Sequence, residues 1–500
     1  MTATLLAITL LAPFAAIVLC LATRHPRIAE AANLLASILV FIAVPGLLAE
    51  SAAGTRRFLS DYLVLDPFGA WGLLCVACVY LLGSIYAVGY MRVMGEDSHL
   101  YRFYALYAGF ALTMLAGPLM NNVGVYWIVI ELTTLISTFL VCFELGRESI
   151  EAAWKYIVVV SAGISLALLG TILFYWGGSL VLGPTYDMTW DALRAVAPRM
   201  DPVLATTAFL LVTVGFGTKV GLAPMHTWLP DAHSEGPTPV SAMLSGALLN
   251  TAMIGIARYL QISDAAHLGW IPRAVVVALG ALSLFVAALF IVRQRGIKRL
   301  LAYSSIEHMG VLALGFGFGG PLGTAGALYH MLNHSLNKSL MFFGAGNAMR
   351  AWGTKRISAI RYVARRFPVS GWLWLAGAVA ITGAPPFGLF LSEIVILRAG
   401  LASPNAWATY VMVVLLIVIF IGFLNHFRIM FFEPPPGRGE ATPTVDADQA
   451  PDSSEFPTLW CTVPMWLALI PLLVMGLWWP GFFSHLFSLV SHELGTGSAP

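Results

Sequence analysis

Apolar runs of about twenty residues follow one another almost without interruption along this 500-residue chain. A run of that length has few folding options, because lipid offers no hydrogen bonds and the backbone must satisfy its own N–H and C=O groups. Helices of about 20 residues do so while crossing the hydrocarbon core. Fourteen such stretches are expected to span, near 3–23, 28–49, 67–91, 101–120, 122–143, 154–176, 203–229, 238–260, 272–292, 299–317, 321–349, 371–398, 406–431 and 459–484. Composition agrees: 59% of residues are hydrophobic and 10% charged, against roughly 25% charged in soluble domains. The chain reads as an all-α polytopic membrane protein. A net charge of +2 suggests no nucleic-acid partner. The first run lacks a basic n-region and an A-x-A site, so it is expected to be a span and not a cleaved signal.

Arginine and lysine favour the inner side of a membrane. With the N-terminus outside, the inner loops collect eighteen of them, including Arg24, Arg147, Lys155, Arg299, Lys355 and Arg438. Seven fall outside: Arg56, Arg57, Arg194, Arg199, Arg258, Arg273 and Arg398. Both termini are therefore expected outside, in a cell inner (plasma) membrane. Residues 432–458 form the one long polar stretch, rich in proline, glycine and acidic residues, and read as a flexible connection. Five cysteines, Cys20, Cys75, Cys78, Cys142 and Cys461, lie in or beside apolar segments and read as packing residues.

Lys219 lies inside LATTAFLLVTVGFGTKVGLAPMHTWLPDAH, an otherwise apolar stretch. A lysine there costs about 2.5–3.5 kcal/mol on insertion scales. Five residues on, Pro224 removes a donor and opposes the carbonyl of Val220, so the seventh span should break. The twelfth span has an equivalent interruption at Gly383–Pro386, and paired broken helices are a feature of duplicated transporters. Glu131, in the fifth span, is the natural counterpart of Lys219. Burial favours the uncharged form of either group and an opposite charge favours the charged form, so the pair can take up or release a proton as its spacing changes.

His330, His334 and Lys338 recur at i, i+4, i+8 on one helix face. H-x-x-x-H could begin a zinc site, but a lysine completes the face, and a file of titratable groups suits proton relay better. Glu393 follows the second break. Glu307 and His308 could extend the relay. His226, Asp231 and His233 surround the turn after the first break and read as satisfied loop groups, while Asp66 before Pro67 looks like an N-cap. No nucleotide, haem or cluster motif occurs, so neither a cofactor nor a metal is expected.

Two long motifs then carry a resemblance. GTKVGLAPMHTWLPDAHSEGPTPVSA at 217–242 and IKRLLAYSSIEHMG at 297–310 closely resemble the signatures of antiporter-like membrane subunits of respiratory complex I. That family is shared with multi-subunit cation/proton antiporters and membrane-bound nickel–iron hydrogenases. NHSLNKSL with SSIEHMG looks most like component F of hydrogenase-4. The resemblance implies fourteen transmembrane helices, discontinuous at the seventh and twelfth. After helices 1–3 (residues 1–100) it implies inverted five-helix repeats at 101–262 and 270–431, then the polar loop 432–458 and a last helix with its tail at 459–500. It also implies roles: Glu131 and Lys219 as the charge pair, His330, His334 and Lys338 as the central relay, and Glu393 at the exit. Asn250 stands where family members often carry lysine or histidine, and an amide cannot carry a proton as charge. The implied function is a proton-translocating, itself non-catalytic, subunit of a redox complex, with other membrane and peripheral subunits as partners and protons or sodium ions as cargo. The alternatives are a subunit of a sodium/proton antiporter and a structural anchor with an inactive channel.

Overall fold

Helix boundaries fall where the sequence supplies caps and breakers. The computed structural model describes residues 1–93, 99–434 and 457–495. In its first part α1 (Thr2–Thr23), α2 (Pro26–Ala52), α3 (Pro67–Val93), α4 (Leu100–Ala116), α5 (Val123–Val141) and α6 (Arg147–Leu182) follow one another. A three-residue hairpin, β1 (Arg56–Phe58) with β2 (Leu63–Leu65), precedes α3. Next come α7 (Trp190–Val196), α8 (Pro202–Val220), α9 (Leu229–Glu235), α10 (Thr238–Met243) and α11 (Leu249–Ala265). The Asn122 side chain accepts the Val125 N–H at 3.0 Å to start α5, and Asp201 accepts that of Leu204 at 2.8 Å to start α8. Gly221 ends α8 at φ +80°, a left-handed cap that suits glycine.

The second part holds α12 (Ile271–Val292), α13 (Ile297–Phe318), α14 (Gly320–Trp352), α15 (Val363–Arg366), α16 (Pro368–Ile381), α17 (Gly388–Leu401), α18 (Ala406–Phe432), α19 (Leu459–Leu477) and α20 (Gly481–Glu493). Both prolines act where expected. Helix α8 stops at Val220 and α16 at Ile381, the residues whose carbonyls Pro224 and Pro385 would meet. Between α10 and α11 the residues Leu244–Leu248 wind as a π-helix, a local widening often found at functional sites.

Burial is arranged as lipid requires. Residues 238–263 are all buried, and α13 and α14 are almost so. Large apolar side chains face outward on the peripheral helices, among them Phe14, Ile42, Phe139, Leu289, Ile421 and Leu424. Ten helices among the described residues are long and apolar enough to cross a membrane. The other expected spans are helical but fall short on those two criteria. Helix α4 has 17 residues, α16 and α17 have 14 each, and α13 and α14 carry many polar residues. The chain is an all-α multi-pass membrane protein.

Two expectations change, and a third is kept and extended. The last apolar stretch is not one helix to 484: α19 ends at Leu477, and α20 follows as a separate, more amphipathic helix. Arg258 is not a loop residue, for it is 3% exposed within α11 and pairs with Asp66 at 2.7 Å. Asp66 also caps α3 by accepting the Gly69 N–H at 2.6 Å, so it does more than begin a helix. Residues 435–456 of the polar connection, with Arg438, lie outside the described residues. All five cysteines are free; Cys20, Cys75 and Cys461 are buried.

Candidate functional site

The Lys219 ammonium is completely enclosed near the end of α8, and it meets hydroxyls before any carboxylate. It donates to Thr134 Oγ1 at 2.7 Å and to the Tyr156 hydroxyl at 3.0 Å. Thr134 in turn donates to Glu131 Oε2 at 3.4 Å, and Ser161 donates to Glu131 Oε1 at 2.6 Å. Three helices build this cluster. Helix α5 sets Glu131 and Thr134 one turn apart, α6 brings Tyr156 and Ser161, and the break after α8 lets Trp228 pack at a tilt on Tyr156, with ring centroids 4.7 Å apart. Trp228 also donates to the carbonyl of Thr218, one of the groups that the helix end leaves free. Glu131 is half-buried, less enclosed than Lys219.

Asn250 sits just past the π-helical turn. Its amide donates to the carbonyls of Gly246 and Met331 and to Ser335 Oγ, at 3.2, 3.1 and 2.9 Å, while its oxygen has no protein partner. These contacts tie α11 to α14. They do not reach back to Lys219.

On α14 the expected row is present and wholly buried. Lys338 donates to the carbonyl of Leu301 at 3.0 Å and to Ser304 Oγ. His334 Nε2 lies 3.2 Å from the carbonyl of Ser245 and must donate to it. Ser245 Oγ is 2.7 Å from Ser305 Oγ. His330 can be oriented by the same logic. Ser392 Oγ donates to Leu389 O at 2.7 Å, so it accepts from His330 Nδ1 at 2.8 Å. His330 Nε2 is then an acceptor, and it takes its hydrogen bond from His308 Nδ1 at 3.1 Å. His308 Nε2 is left without a partner.

Glu393 comes to this histidine pair from α17. Its carboxylate occupies the space that glycine leaves at Gly383, where a Cβ would stand 2.1 Å from Oε2. Nitrogens of His308 and His330 and a Glu393 oxygen all lie within 4.8 Å of one another. Glu307, 2% exposed, keeps one oxygen without a partner nearby on α13. The structure thus brings His308, His330, Glu393 and their serine together, whereas the Glu131–Lys219 cluster stands apart.

The turn after α8 differs from its expected reading. Asp231 is satisfied, by Lys155 at 3.3 Å and Arg299 at 2.5 Å. His226 and His233 each keep a ring nitrogen with no partner, and His233 is fully buried. Sequence reasoning also passed over Thr134, Tyr156, Ser161 and Ser392, because hydroxyls are common in membrane helices and nothing in their spacing sets these apart. Lys298, at the start of α13, is 3% exposed and donates to the carbonyl of Gly236 at 2.6 Å. It lines a cavity of about 320 Å³ with Tyr90, Glu144, Glu235, Arg350 and Lys355.

A helical multi-pass protein with interrupted helices and a buried file of lysine, histidine and carboxylate belongs, as a class, to the antiporter-like membrane subunits. The chain is a member of the NADH:quinone oxidoreductase/Mrp antiporter transmembrane family, which it matches over residues 120–422. It is 36% identical to the hydrogenase-4 component F homolog of Methylacidiphilum infernorum, over 87% of this chain and 91% of that one. Its fold is that of a subunit in the membrane-bound sulfane sulfur reductase, an archaeal respiratory membrane complex, with TM-score 0.84 and 21% identity over 99% and 97% of the two chains. A chain of the Mrp complex from Dietzia sp. is similarly close, with TM-score 0.83 and 20% identity over 98% and 97%.

Proposed function

We propose that this chain is the proton-translocating subunit of a membrane redox complex of the hydrogenase-4 or NADH:quinone oxidoreductase kind. The observation that carries the reading is the enclosed ammonium of Lys219, linked to Glu131 through the Thr134 hydroxyl. The ammonium has two hydroxyl acceptors and a carboxylate one hydroxyl further away, so its charge depends on how near Glu131 stands. Drawing Glu131 closer favours the charged lysine, and separating them favours release of its proton. Moving a charge across the membrane costs about 2.3 kcal/mol per 100 mV, so partner subunits must bias these arrangements differently in two states.

In this reading fourteen spans are arranged as inverted repeats at 101–262 and 270–431, with both termini outside an inner (plasma) membrane. The cavity beside Lys298 and Glu235 gives inner water access to the bundle. Protons pass from the Lys219 cluster, through water ordered by Asn250, to Lys338, His334, His330 and His308, and leave at Glu393. Glu307, His226, Asp231 and His233 border this route. A sodium/proton antiporter subunit is the second reading, favoured by the likeness to a chain of an Mrp complex. Purification of the complex from its native membrane separates them: co-purifying redox subunits support the first, and small membrane subunits without redox centres overturn it.

A further inference from the structure

We propose that His308, His330 and Glu393 form a binding site for a zinc-class divalent metal ion within the bundle. The inference goes beyond proton transport and does not depend on it. The site differs from the H-x-x-x-H pair that the sequence offers. His334 commits Nε2 to the carbonyl of Ser245, and its ring centre is 6.4 Å from that of His330. The cluster is instead built from three helices, α13, α14 and α17.

Its geometry is already close to what such an ion needs. Zinc–nitrogen bonds of about 2.0–2.1 Å at a tetrahedral centre set two ligand nitrogens about 3.3 Å apart. His308 Nδ1 and His330 Nε2 are 3.1 Å apart. A Glu393 oxygen lies within 4.8 Å of both histidines and is carried by a flexible side chain. Its required shift is at most about 1.5 Å on that tetrahedral spacing.

The hydrogen bonds favour ligation as well. Ser392 fixes the Nδ1–H tautomer of His330 and so presents the Nε2 lone pair, the usual outer-shell support of a metal-bound histidine. Ligation moves the His308 proton from Nδ1 to Nε2, which has no protein partner to displace, and the metal takes the place of the Nδ1–H bond to His330. Charge is compensated too, since Glu393 supplies one carboxylate and Glu307, adjacent to His308, supplies a second. Lys338, the cation on that face, is held one to two turns away by Leu301 and Ser304. Glu393, 7% exposed, is the least enclosed ligand, and it opens beside half-exposed Gly383 at the interrupted helix.

The test uses the full chain in lipid nanodiscs, without a polyhistidine tag, stripped with chelator and titrated with Co²⁺ chloride. Visible absorption typical of four-coordinate Co²⁺, saturating at one equivalent and abolished by one equivalent of Zn²⁺, is expected. Glu393→Gln and His308→Gln should each lose the band, and His334→Gln should keep it. Zinc-edge X-ray absorption on the unaltered chain, which needs no variant to fold, should show two imidazoles at about 2.0–2.1 Å. Absence of the band in the unaltered chain, or its loss in His334→Gln with retention in Glu393→Gln, overturns the proposal.

Discussion

Lys219 and Glu131 are joined through one hydroxyl: Thr134 accepts from the ammonium at 2.7 Å and donates to the carboxylate at 3.4 Å. The pair is therefore not a closed salt bridge. A direct buried ion pair would hold its proton in one place, whereas an intervening hydroxyl can rotate and carry it. Thr134→Val keeps the shape and removes that group. The variant is expected to assemble normally and lose about 1 kcal/mol of stability, while proton uptake falls about tenfold or more. Thr134→Ser should keep most of the uptake. Equal rates in Val and Ser variants would show that the hydroxyl is not on the route.

Gly383 is needed for two reasons, and one substitution tests both. Its φ of +64° is left-handed, and a Cβ there would strike the Glu393 carboxylate. Gly383→Ala should cost about 1–2 kcal/mol from backbone conformation and push Glu393 away from His308 and His330. Thermal unfolding in detergent gives the first quantity, and proton uptake by vesicles the second. Uptake at the level of the unaltered chain would mean that Glu393 does not act from this position.

Asn250 holds α11 to α14 with its amide and leaves an oxygen free. If that oxygen orders water between the two halves, Asn250→Leu, with an apolar side chain of similar size, should stop uptake with little effect on assembly. Asn250→Ser should retain part of it. Full activity in Asn250→Leu would place the connection elsewhere.

At the other end of α11, Arg258 is shared by Asp66 at 2.7 Å and Glu493 at 3.7 Å. One cation faces two carboxylates. Burial, and then the neighbouring Asp66 charge, push the Glu493 carboxyl well above its ordinary value of 4.5. The folded state then binds this proton more tightly than the unfolded one. Stability from α20 docking is full below about pH 4.5 and declines as pH rises through the folded value. Glu493→Gln should flatten this fall in a thermal-melt series. Arg258→Met should lower stability by about 3–5 kcal/mol, because it leaves the buried Asp66 carboxylate without its cation.

The sequence was most legible where single residues decide the outcome. Pro224 and Pro385 ended their helices at the expected carbonyls, and the i, i+4, i+8 row of α14 is intact, because these are local consequences of ring geometry and helical pitch. What it could not display was convergence. Glu393 meets His308 and His330 only because α17 packs on α13 and α14, and the space that receives it is an absent side chain at Gly383. Arg258 stands near the end of an apolar run in the sequence, and only the fold sets Asp66 opposite it. The boundary at Leu477 was hidden as well, since the apolar run continues past it through Trp478, Trp479, Phe482 and Phe483.

The most direct test is redox-driven proton uptake by inverted membrane vesicles carrying the assembled complex, with Lys219→Ala compared against the unaltered chain. The variant is predicted to assemble to the same level and to show no uptake above the background seen with a protonophore. Uptake by Lys219→Ala within about twofold of the unaltered chain would contradict the account, because the enclosed ammonium would then be a structural group only.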